Sequence, residues 1–151
     1  VRTKDLQNLL EYFGREQACY TSLLDLSRRQ QAFIEQGDVD QLLAVLAQKQ
    51  QILARVAEVE SCLQPYKRRW SELRNELTED DRGVVDAALA VVEELLAELI
   101  ALERRCEQEL VGRIDEVRAD IDAVARAQGV HGAYAARTAS DPPRALDCME
   151  A

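Results

Sequence analysis

The residues with the widest range of site chemistry are four cysteines, Cys19, Cys62, Cys106 and Cys148, and one histidine, His131. A zinc site takes four ligands, usually delivered as close pairs. The cysteines here are far apart and form no C-x-x-C, so the spacing argues against a metal centre. The first three fall within helical runs and read as small buried or half-buried thiols. His131 has no nucleophile at a recognisable spacing, and there is no Gly-rich phosphate loop and no G-x-S-x-G. The acidic pairs Glu93-Glu94 and Asp115-Glu116 lie on a helix flank, where paired carboxylates solvate a surface. A di-metal bundle would need Glu-x-x-His on two helices, which one histidine cannot supply. We therefore expect no catalytic residue, no cofactor and no enzymatic activity, which leaves interaction as the work of the chain.

Charge narrows the partners. The net charge is −9, and residues 78–128 supply −8 of it. A nucleic-acid binder needs a basic face to neutralise phosphates, so nucleic acid is not an expected partner. The acidic segment either solvates a long helix or offers a face to a basic partner. Lys67-Arg68-Arg69-Trp70 is the one dense basic spot; pairing with the acidic segment is its expected use, with contact to an acidic partner as the alternative. No signal peptide and no apolar run of transmembrane length is present, and basic amphipathic faces are nearly absent. The expectation is a cytoplasmic protein with reduced thiols and no membrane insertion.

Only 5 % of the 151 residues are aromatic and 31 % are charged, with Ala, Leu, Glu, Gln and Arg abundant. That composition points to long helices sharing a narrow seam. Leu6, Leu9, Leu10, Phe13, Tyr20, Leu23, Leu24 and Ile34 recur at steps of three and four, predicting a first helix over about 4–36. Glu11–Arg15 and Asp25–Arg29 are i,i+4 pairs in the favoured order. Gly37 suits the left-handed conformation that closes a helix, and Asp38 suits the N-cap of the next. So short a connection turns the chain back on itself as an antiparallel hairpin.

The second helix is expected over 39–77. Its 4-3 seam runs Leu42, Leu46, Lys49, Leu53, Val56, Glu60, Leu63, Lys67, Trp70, Arg74, Leu77, with Leu43, Ile52, Val59, Tyr66 and Leu73 beside it. Pro65 predicts a kink or break near Gln64. Thr78 reads as the next N-cap, opening a third helix over 79–128. The fold class is thus all-α: an elongated antiparallel three-helix bundle with coiled-coil character over 1–128, followed by a flexible tail over 129–151.

At about 1.5 Å per residue the third helix outruns the first. Its last seam residues, Leu110, Ile114, Val117, Ile121 and Val124, then lack internal partners. They are the expected partner-binding site, together with Tyr134 of the tail. Their covers could be a second copy (a homodimer), the tail folding back, or water, with permanent packing on the second helix as the alternative.

The stretch LLDLSRRQQAFIEQGDVDQLLAVLAQKQQIL, residues 23–53, resembles the FlgN-type flagellar export chaperones. Gly37, Asp38, Leu42, Leu43, Lys49, Ile52 and Leu53 carry the likeness, and the tyrosine-bearing HGAYAAR is also similar to the family. The resemblance implies a cytosolic type III secretion chaperone. Such a protein holds flagellar hook-associated subunits, those of the hook–filament junction, against early assembly and delivers them to the export apparatus. A different class, a coiled-coil scaffold or tether without a secreted client, also accommodates the helical pattern.

Overall fold

The computed structural model describes the backbone of residues 2–138 and the side chains of residues 4–130. Four helices account for it: α1 (Arg2–Gln36), α2 (Val39–Arg68), α3 (Trp70–Glu76) and α4 (Glu79–Thr138). Among the described residues there is no strand. The chain divides into two compact units, residues 1–109 and residues 110–151.

The α1–α2 turn follows from its two central residues. Gly37 adopts φ +69°, the left-handed conformation that a Cβ resists. Its N–H donates to the carbonyl of Ile34 at 3.2 Å, and the Asp38 N–H donates to that of Phe33 at 3.0 Å. This pair of bonds is the Schellman closure of a helix end. The Asp38 carboxylate then accepts from the Gln41 N–H at 3.2 Å, starting α2 at once. No atom crowds the Cα of Gly37, so a side chain there meets backbone strain rather than a steric wall. Gly37→Val should therefore lower stability by about 1 kcal/mol or more, whereas Gly37→Asn should cost less. A urea midpoint unchanged by valine would contradict this account of the turn.

In unit 1, α1, α2 and the first part of α4 share one core, with Leu9, Leu23, Leu63, Val85 and Cys106 at its centre. Asn8 bonds Tyr66 while Gln30 bonds Lys49, so α2 is met in reverse order along α1. Buried positions 9, 13, 16, 20, 23, 27, 30 and 34 of α1 alternate steps of four and three, with Leu24 and Leu26 buried beside that row. Both expected i,i+4 pairs form, Arg15–Glu11 at 2.6 Å and Arg29–Asp25 at 3.0 Å.

Three expectations about the helices need correction. The α2 seam is one register away from part of the row proposed above. Val45, Lys49, Val59, Leu63 and, in α3, Leu73 are buried, whereas Leu43, Leu53, Lys67 and Arg74 are exposed. Leucines occur on two neighbouring rows of α2, and the β-branched row packs against α1. Pro65 does not stop α2. It is exposed beside exposed Ser61, so the carbonyl it leaves without a donor can be hydrated. The interruption comes at Arg69, whose N–H reaches the Tyr66 carbonyl at 3.2 Å, a three-residue step in place of four. Finally, α4 continues past Gln128 to Thr138. Gly129 and Gly132 cost about 1 kcal/mol each relative to alanine, and the good helix formers Ala133, Ala135, Ala136 and Arg137 offset them. The flexible tail expected over 129–151 is thus helical through Thr138, and residues 139–151 lie outside the described residues.

The second turn forms as read from Thr78, whose hydroxyl accepts from the Asp81 N–H at 3.2 Å. Arg82 also donates to the carbonyls of Arg74 and Leu77, satisfying groups at the end of α3. The basic cluster pairs locally rather than with α4: Lys67 with Glu60 at 2.5 Å and Arg69 with Glu72 at 3.5 Å. Cross-helix ion pairs to α4 come instead from Arg28 to Glu98, from Lys49 to Glu103 and from Arg74 to Asp86.

Candidate functional site

The expected partner-binding residues lie in unit 2, on α4. Leu110 is half-buried, while Ile114, Val117, Ile121 and Val124 are 43 %, 55 %, 60 % and 56 % exposed. Their four- and three-residue steps place them on one face of the helix. Val117, Ile121, Val124, Ala125, Asp120 and Gln128 border a shallow groove of about 340 Å³ on that face. Val111 and Val130 are further exposed aliphatics on the same helix. Tyr134 belongs to the helical backbone, but its side chain lies outside the described residues, as does all of Cys148.

Aliphatic side chains so regularly spaced, and this exposed, are uncommon unless something covers them. Within residues 85–106 the seven-residue steps Val85, Val92, Leu99 and Cys106 all lie in the core, while Leu89 between them is half-buried and Leu96 is exposed. One helix therefore carries one apolar pattern with two fates. Asp115, Glu116, Asp120 and Asp122 flank the exposed part together with Arg113, Arg118 and Arg126, so its border carries charge of both signs.

A second feature, in unit 1, was missed by sequence reasoning. Glu16 takes a seam position of α1 and is only 3 % exposed. Burial pushes its carboxyl up to about 8, helped by its hydrogen bond to Glu60 and the charge there, while Lys67 pulls the other way. Glu60 moves in the opposite sense, held down by the hydrogen bond from Glu16 and then by Lys67. At neutral pH Glu16 is therefore protonated and donates to the Glu60 carboxylate. Burial and the two neighbouring carboxylates push the Tyr20 hydroxyl up to about 12. These groups line a groove of about 370 Å³ whose walls include Phe13, Leu63, Trp70 and Val92. The signal was available: position 16 completes the four-three alternation from Leu9 to Ile34, and a charged residue at a seam position marks a site to inspect.

A third polar feature spans three helices. Lys49, 7 % exposed, donates to Gln30 at 2.7 Å and to Glu103, which also accepts from the Ser27 hydroxyl. The Cys106 thiol donates to the Ser27 carbonyl at 3.5 Å, and burial pushes that thiol up. Cys19 is half-buried and Cys62 exposed, and both are free, as is Cys106. Among the described residues no group of three or more His, Cys, Asp and Glu side chains is arranged to hold a metal ion. Among them, too, no helix is long and apolar enough to cross a membrane.

These features define a helical protein with a packed hydrophobic core in one unit and an exposed apolar row in the other. The chain belongs to the FlgN family: the family model described as FlgN protein matches residues 5–110, more than two thirds of the chain. It is, in general terms, a flagellar export chaperone. No curated protein and no solved structure matches it.

Proposed function

We propose that the chain is a cytoplasmic, non-enzymatic chaperone of type III export whose clients are hook-associated subunits of the hook–filament junction. It acts as an antiparallel three-helix bundle that presents the α4 face. That face covers an amphipathic terminal helix of the client, in the helix-in-groove mode, and prevents its early assembly. The observation that carries this reading is the row Ile114, Val117, Ile121 and Val124, each more than two fifths exposed on one helix face. A client helix with apolar residues at matching spacing gains about 1.5–3 kcal/mol for each aliphatic side chain it covers fully. The charged side chains bordering the row set orientation and encounter rate more than affinity. Release at the export apparatus requires only that another surface compete for the same side chains.

The test is the double variant Ile114→Asp with Ile121→Asp, titrated calorimetrically against a purified hook-associated subunit. Affinity should fall by about a hundredfold or more, because two apolar contacts of that size are lost. Helix content by circular dichroism should stay unchanged, since both side chains are exposed in the free chain. Undiminished binding would rule the site out. The exposed row equally suits a second copy of the chain, the basis of the homodimer and scaffold reading. Sedimentation separates the two: a scaffold self-associates through this face and binds no client, whereas a chaperone binds its client with defined stoichiometry.

A further inference from the structure

The groove at Glu16 goes beyond the client-covering face, because it sits in unit 1 and carries a different chemistry. Its walls are apolar and aromatic, from Phe13, Leu63, Trp70 and Val92. Among them lies a carboxyl group that is nine-tenths buried and whose Oε1 has no hydrogen-bond partner. A buried oxygen without a donor carries a desolvation cost that a ligand donor would remove. An aliphatic occupant would fill the walls and leave that cost in place. The charged groups facing the groove are Glu60 and Lys67 from α2 and Glu93 from α4, with the Tyr20 hydroxyl from α1. Lys67 is already engaged by Glu60 at 2.5 Å, so the uncompensated charge is negative.

We propose that this groove is a binding site for an arginine side chain presented by a partner peptide. The aliphatic stem lies along Leu63 and Val92, and the guanidinium stacks against the aromatic wall and donates to Glu16. Arginine fits better than lysine on three counts: it is planar, it is weakly hydrated, and it carries several donors in a fixed fork. A volume of about 370 Å³ lies in the range of small-ligand pockets. On binding, the Glu16 proton leaves to solvent and the carboxylate pairs with the guanidinium, so one proton is released per arginine bound.

Trp70 is the only tryptophan in the chain, so its fluorescence reports on the groove. The full-length protein is titrated with a short amphipathic helical peptide bearing one central arginine, and with the same peptide bearing norleucine there. The arginine peptide should bind at least tenfold more tightly at pH 8.5. Its affinity should fall about tenfold per pH unit below about 8, the signature of one linked proton. Glu16→Gln keeps the shape and a donor toward Glu60, and should abolish both the arginine preference and the pH slope. The Ile114→Asp, Ile121→Asp variant should behave as wild type, which separates this site from the α4 face. Equal binding of the norleucine peptide would overturn the proposal. So would a slope that survives Glu16→Gln, or no saturable Trp70 change up to about 1 mM peptide.

Discussion

Lys49→Met is expected to destabilise the chain by about 2–3 kcal/mol, lowering its melting temperature by roughly 4–12 °C. The methionine fills nearly the same space, so the cost is electrostatic rather than steric. Lys49 is buried and donates to Gln30 and Glu103, and its loss leaves the Gln30 carbonyl oxygen without that donor. Glu103 retains the Ser27 hydroxyl, and its side chain is 41 % exposed, so water compensates part of its loss. That is why the expected cost lies below the 3–5 kcal/mol typical of breaking a fully buried pair. The second half of the expectation is non-additivity. Adding Glu103→Met to Lys49→Met should cost little more, because the carboxylate whose partner is gone is itself removed. Ser27 can then donate back to a carbonyl one turn earlier in α1. Urea unfolding of the two singles and the double closes the cycle, and strictly additive losses would show that the pair is not coupled. The layer also has a structural consequence. Ser27 and Gln30 from α1, Lys49 from α2 and Glu103 from α4 meet in one register only. A slip of one helix by a turn would bury Lys49 among apolar side chains.

Much of this was legible in the residue pattern because helices write their burial into spacing. The Gly37-Asp38 and Thr78 boundaries depend on backbone chemistry local to a few residues, and both form where the types require. The apolar row of the four exposed α4 residues was legible for a similar reason, since four- and three-residue steps place side chains on one helix face whether or not that face is covered. What was lost came from reading types rather than positions. Glu16, Ser27 and Gln30 stand in the α1 seam, but a search for apolar residues passes over them, and with them both polar features of the core. In α2 the abundance of leucine on two adjacent rows hid the true register. Val45, Val59 and Leu63 decide it through their packing on α1, a tertiary choice that local propensity does not contain. The end of α4 was missed because Gly129 and Gly132 suggest a stop, whereas neither is followed by the proline or cap that enforces one.

The second large effect is a pH dependence of stability that a single isosteric substitution should erase. The Glu16 carboxyl sits near 8 in the folded chain against an ordinary value of 4.5. Between those values the folded state holds a proton that the unfolded state has released. Stability from this group is therefore full below about 4.5 and is lost as pH rises toward 8, by at most about 1.4 kcal/mol per pH unit. Above about 8 the loss levels off, because the folded state has released the proton as well. Glu60 has the opposite sign: its carboxyl is held below the ordinary range, so its contribution is present above that range and is lost on acidification. The two together confine maximal stability to mildly acidic pH. Glu16→Gln replaces the protonated acid by an amide that can still donate to Glu60 and cannot ionise. Wild type and variant should then unfold at nearly the same urea concentration at pH 5. At pH 8 the variant should be the more stable, the gap widening steadily through pH 6 and 7. Parallel curves across the whole range would mean that Glu16 ionises in the folded chain as it does in water, and that the Glu16–Glu60 proton is not shared.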